Sequence, residues 1–194
     1  MIKNPIQNVT NNFQNRAIGI VNGIYKPDDL QTLNKGTLIG SDGFNLDAVV
    51  LGKALPLLKK YVDFEKNYFW IVYPRNKTSD VLHIQISGLW DPCNFGDHDS
   101  EDLKKDPEEV LKELNLKNNY FSIRGKLIYV NTPQKEFIVK ITPSKSSKVN
   151  KNKPFKLIIK GDIKLDFLNS FISIDVRRLD NTLVMESFEV IKSN

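Results

Sequence analysis

The chain has one cysteine, Cys93, and two histidines, His83 and His98, among 194 residues. A single thiol excludes an internal disulfide, which suits a reducing compartment. Three thiol and imidazole groups are too few for a zinc site unless Asp91, Asp97 or Asp99 contributes. The DPCNFGDHD stretch that gathers them reads better as a solvated linker, so neither metal nor cofactor is expected. There is no Gly-x-x-x-x-Gly-Lys phosphate loop and no Gly-x-Gly-x-x-Gly fingerprint, and the glycines sit in strands and hairpins. That argues against nucleotide hydrolysis and dinucleotide chemistry. Two carboxylate pairs exist, Asp28 with Asp29 and Glu108 with Glu109. The first lies in a loop and the second opens a helix, where acids favour the dipole without any chemistry. The expectation is a protein that is not an enzyme. No apolar run approaches the roughly 20 residues a bilayer requires. The opening MIKNPIQNVTNNFQN has no apolar core of signal-peptide type. A cytoplasmic location with no membrane partner is therefore expected.

What is present is the composition of a globular protein, 40% apolar and 26% charged. The net charge is +5, and its distribution is uneven: residues 1–100 are neutral, 101–117 carry −2, and 118–194 carry +7. The excess belongs to the C-terminal part. Its densest run is SKSSKVNKNKPFK, Ser144 to Lys156, with five lysines and no acid. A bias toward Asn, Lys and Ile, as AT-rich coding produces, accounts for part of that excess.

Along the chain, RAIGIVNGIY reads as a long strand interrupted by Gly19 and Gly23, which mark a bulge or bend. The runs GTLIG and FNLDAVVL flank Asp42-Gly43, a strong hairpin signal. In GKALPLLKKYVDFEK, Leu55, Leu58 and Val62 fall at helical spacing, and Pro56 suits a first helical turn. YFWIVYP and VLHIQISGLW follow, the second alternating with period two. A polar, acidic linker ends in PEEVLKELNL, a short helix whose apolar face is Val110, Leu111 and Leu114. The second half repeats the order. YFSIRGKLIYVN, with Gly125 inside it, pairs with EFIVKIT; PFKLIIKG, SFISIDVRR and TLVMESFEVI follow, and DIKLDFLN stands where the helix was.

The fold class this predicts is all-β, mainly β with short helices: two tandem five-stranded OB-like Greek-key barrels. Barrel 1 would span 14–92, an acidic linker with a short helix 93–118, and a basic barrel 2 119–192. An SH3-like barrel or a single sandwich of about ten strands is the rival, but the helix at Ala54 to Val62 and the linker favour two barrels. The phrases RAIGIVNGIYKP, GTLIGSDGFNLDAVVLGK and YFWIVYPR, with PFKLIIKG in the second half, resemble a conserved family of cyanobacterial proteins. The resemblance covers most of the chain and implies the tandem OB-like architecture. It implies no activity and carries over no functional residues.

OB-folds hold single strands by a basic groove along phosphates and by aromatics on which bases stack. The second half supplies candidates: Arg124, Lys126, Lys145, Lys148, Lys151, Lys153, Lys156, Arg177 and Arg178 for phosphates, Tyr129 and Phe155 for bases. Lys140 belongs to the same set of cations. Alternation puts Arg124 and Lys126 on one face and Tyr129 on the other, unless a glycine bulge resets the register. In barrel 1 the corresponding strands hold Phe44, Asp42 and Asp47 but no lysine or arginine. Trp70, Tyr73 and Trp90 read as packing residues. The leading expectation is weak, largely sequence-independent binding of single-stranded DNA or RNA through barrel 2. The alternative is a protein-binding or assembly scaffold whose lysines only keep it soluble.

Overall fold

The computed structural model describes residues 4–76, 81–91, 106–143 and 153–192. Two compact units emerge: one comprises Met1–Gln7, Gly19–Tyr73 and Ile84–Tyr120, the other Asn8–Ile18, Pro74–His83 and Phe121–Asn194. Each contains a five-stranded Greek-key barrel, and the fold is the expected pair of OB-type barrels in tandem.

The first barrel is built from β1 (Arg16–Pro27), β2 (Lys35–Gly40), β3 (Asn45–Val50), β4 (Tyr68–Asn76) and β5 (Leu82–Trp90). Its strands run in the order β1, β2, β3, β5, β4 and return to β1. Closure requires β1 to serve β4 at one end and β2 at the other. Gly23 is the residue shared by both pairings, opposite Tyr68 on one side and Gly40 on the other. A Cβ there would lie 2.3 Å from the Ile39 carbonyl oxygen, so only glycine allows the strands to approach this closely. The β2–β3 hairpin turns at Gly43, whose φ of 81° is the positive value expected for that turn.

Helix α1 (Leu55–Tyr61) follows β3 with proline in its first turn and buries Leu58. Trp70 and Tyr25 fill the interior, their rings 6.0 Å apart, and Trp70 Nε1 donates to the Gly23 carbonyl at 2.9 Å. Helix α2 (Pro107–Glu113) opens with Asp106, which accepts from the Glu108 amide, and with two acids in its first turn. Its Val110 and Leu111 are buried with Ile20, Phe69, Trp90 and Leu116. The helix anticipated in a separate linker thus packs on the first barrel, and its apolar face is covered there.

The second barrel repeats the plan with β6 (Tyr120–Asn131), β7 (Glu136–Ile141), β8 (Phe155–Lys160), β9 (Phe171–Leu179) and β10 (Thr182–Ile191). The strand order is β6, β7, β8, β10, β9, closing on β6, and β8 runs parallel to β10. Gly125 stands where Gly23 stands in the first barrel, its notional Cβ 2.5 Å from the Lys140 carbonyl oxygen. Inward alternation is regular: Phe137, Val139, Leu157, Ile159, Ile172, Ile174 and Val176 are all buried. The helix of the first barrel is reduced to a 3-10 turn, Leu165–Phe167, with Phe167 set edge-on to Phe188 at 5.5 Å. Among the described residues no helix is long and apolar enough to cross a membrane.

Burial and, secondarily, the Asp28 charge push the Tyr25 hydroxyl up from 10.0 to about 12, while it donates to the Leu33 carbonyl at 3.0 Å. A raised folded value means the native state holds its proton longer than the unfolded chain. This contribution, about 2 to 3 kcal/mol, is complete below pH 10 and is lost as pH rises toward about 12. Urea unfolding from pH 9 to 12 should show that loss as a difference between the wild type and Tyr25→Phe; parallel stability curves would contradict it.

Candidate nucleic-acid interface

The outer face of β6, β7 and β8 holds the arrangement with the clearest chemical character. Residues 136, 138 and 140 of β7 point away from the buried Phe137 and Val139, as do 156, 158 and 160 of β8 from Leu157 and Ile159. Register then fixes which of them meet. Lys126 of β6 is opposite Lys140 of β7, which is opposite Lys156 of β8. Three lysines therefore form one rung across three adjacent strands, at about 4.8 Å per strand. All three are exposed, and none has an ion-pair partner among the described residues.

The next rung depends on an irregularity. Leu127 pairs with Val139 and Tyr129 with Ile138, leaving Ile128 as an extra residue in β6. This bulge resets the alternation, so Tyr129 joins Lys126 on the outer face instead of pointing to the opposite one. Tyr129 is 47% exposed. Beside it lie Ile138 and then Ile158, both half-buried, making a short apolar shelf. The third rung is Asn131, Glu136 and Lys160. Lys160 Nζ meets Glu136 Oε2 at 2.5 Å, and the Asn131 amide donates to Gln134 Oε1 within the β6–β7 turn.

Other residues singled out in the sequence fall elsewhere. Arg124 is only 7% exposed: its guanidinium donates to Ser173 Oγ and to the Asn12 carbonyl, and it lies over the Phe171 ring. Alternation does turn Arg124 outward, but residues 8–18 cover that part of β6. Arg177 and Arg178 separate by the same period of two. Arg177 is exposed on β9, whereas Arg178 is 1% exposed and donates to the Asp180 carbonyl at the β9–β10 turn. Phe155 is half-buried, with the Arg75 guanidinium 3.8 Å from its ring centroid. Arg75 was not anticipated, since nothing in its local sequence connects it with a residue eighty positions away. Lys153 is exposed just before β8. Lys145, Lys148 and Lys151 lie outside the described residues, as does the DPCNFGDHD segment beyond Asp91.

The equivalent outer face of the first barrel has no such rung. Its registers give Ile24, Ile39 and Asn45 in one row and Lys26, Thr37 and Asp47 in the next, with Lys26 paired to Glu65. Among the described residues no group of acids, histidines or cysteine could hold a metal ion.

Comparison with known proteins gives one domain match on each barrel. Residues 17–97 match the family model described as PatR RNA-binding protein, N-terminal OB-fold domain. Residues 123–192 match the one described as cyanobacterial OB-fold-like RNA-binding domain, C-terminal. No curated protein matches the chain. Among solved structures, that of the p204 HINb domain is similar over 92% of this chain and 97% of that one, at 10% identity. Its TM-score of 0.20 is too low to carry an argument.

Like charges set directly opposite each other on a sheet repel, at about 0.2–1 kcal/mol per pair. Lys140 stands between two such neighbours, so Lys140→Gln should stabilise the protein by roughly 0.5 kcal/mol at low salt, shrinking as ionic strength rises. Thermal unfolding at several salt concentrations checks this; a destabilised variant would show that the lysine stem is needed for packing. By its two matched domains, in order and covering most of its length, the chain belongs to the family of tandem OB-fold proteins that these two models describe.

Proposed function

We propose that this protein binds single-stranded RNA across the outer face of β6, β7 and β8, with mostly sequence-independent affinity. The observation that carries the reading is the unpaired rung Lys126, Lys140 and Lys156. Three ammonium groups held together against their own repulsion suit a chain of phosphates, which would relieve it. Tyr129, exposed on the adjoining rung, offers a ring face for a base, and Ile138 and Ile158 extend that surface. Phosphate contacts alone give dissociation constants of about 10⁻⁴–10⁻⁶ M, and a stacked base adds about 1–3 kcal/mol. The family descriptions, an OB-fold domain of an RNA-binding protein for residues 17–97 and an OB-fold-like RNA-binding domain for residues 123–192, support nucleic acid as the partner class. Arg124 and Arg178, committed to internal hydrogen bonds, stand outside the proposed surface. Lys153 and Arg177 are exposed cations that add to the field around it, and the loop lysines Lys145, Lys148 and Lys151 extend the same proposal.

Fluorescence anisotropy with a labelled uridine heptamer, at several salt concentrations, tests it. Replacing Lys126, Lys140 and Lys156 together by Gln should lower the slope of log affinity against log salt by about 2, at roughly 0.7 per phosphate contact. Tyr129→Ala should weaken binding about tenfold. An unchanged salt slope in the triple variant would rule out this face.

A further inference from the structure

The Glu136–Lys160 pair closes the apolar shelf on the side away from the lysine rung, and its place there is unusual for a phosphate-binding surface. Glu136 is an acid on the face where a polyanion is to lie. Its carboxylate is mostly covered, at 20% side-chain exposure, whereas Lys160 is 45% exposed. A cross-strand ion pair so near the surface contributes little stability, with a median of about 0 to 1 kcal/mol. Repulsion between Glu136 and phosphates would weaken binding unless the carboxylate meets some other part of the RNA.

We infer that Glu136 and Lys160 read the Watson–Crick edge of one base, and that the base is guanine. This rests on the RNA-binding reading above. The three rungs follow the order in which a nucleotide presents its groups: cations for the phosphate, an aromatic and aliphatic shelf for the base face, then a polar pair for the base edge. The pair offers carboxylate oxygens that accept and an ammonium that donates. Oε2 of Glu136 is engaged by Lys160, and the carboxylate meets no other partner among the described residues. Every base could give one donor and one acceptor to such a pair. Guanine alone gives two adjacent donors, N1–H and N2–H, matching the two oxygens of one carboxylate, with O6 beside them for Lys160. Charge-assisted bidentate pairing of this kind is the stronger sort of hydrogen bonding. Single-stranded RNA exposes this edge because its bases are unpaired.

The test uses the full chain and uridine heptamers carrying one central variable base: guanine, adenine, cytosine, uracil or hypoxanthine. The expected result is roughly tenfold tighter binding of the guanine heptamer than of the uracil one. Hypoxanthine, which lacks the N2 amine, should lose most of that gain. Glu136→Gln should bring the guanine-to-uracil ratio close to one. The ratio is the readout, because removing a negative charge alters the affinity for every RNA alike, and a purely structural ion pair would leave the ratio unmoved. Five heptamers of equal affinity, or a guanine preference that survives Glu136→Gln, would overturn the inference while leaving the RNA-binding reading intact. If no heptamer binds at low salt, both fall.

Discussion

Closing five strands into a barrel forces the first strand to bend and to pair on both edges, and the close backbone approach at that bend governs much of what each barrel can present. Gly23 and Gly125 meet this demand in the two barrels, with notional Cβ positions 2.3 and 2.5 Å from a neighbouring carbonyl oxygen. The antiparallel register of β6 on β7, joined by the turn at Thr132 to Lys135, decides which outward side chains stand opposite each other. Lys126 comes to face Lys140 one residue beyond Gly125. The extra residue at Ile128 then turns Tyr129 to the same side. The lysines share a rung because consecutive antiparallel ladders set Lys126 opposite Lys140 and Lys140 opposite Lys156.

The two barrels follow one plan and differ in chemistry at the corresponding face. In the first, cation and acid alternate with neutral groups, and Lys26 is already neutralised by Glu65. Helix α2 is used to complete that barrel's packing through Val110 and Leu111. In the second, the outer face holds unpaired positive charge beside an exposed ring. Three of the chain's basic residues stand opposite one another on this one surface.

Much of the fold was legible because its signals are local. Period-two alternation marked the strands, Asp42-Gly43 marked the hairpin whose glycine has φ 81°, and Pro56 and Pro107 marked helix starts. Alternation also implies that neighbours such as Arg177 and Arg178 must part, one outward and one inward, so the two phosphate candidates of the sequence do not share a face. What was not legible depends on partners distant in sequence. The covering of Arg124 by Asn12 and the Arg75 cation over Phe155 depend on contacts across scores of residues, and the opposition of three lysines depends on the registers of neighbouring strands, which alternation alone does not set. The bulge at Ile128 was foreseen only as a possibility raised by the nearby glycine, since one unpaired residue leaves no pattern of its own.

The most direct test of the central claim is an NMR titration of the amide-labelled protein with a single-stranded uridine heptamer. Saturable shifts should concentrate on β6, β7 and β8 around Lys126, Tyr129, Lys140 and Lys156, with little change at β2 and β3. Shifts confined to the first barrel, or none at low salt, would contradict the account.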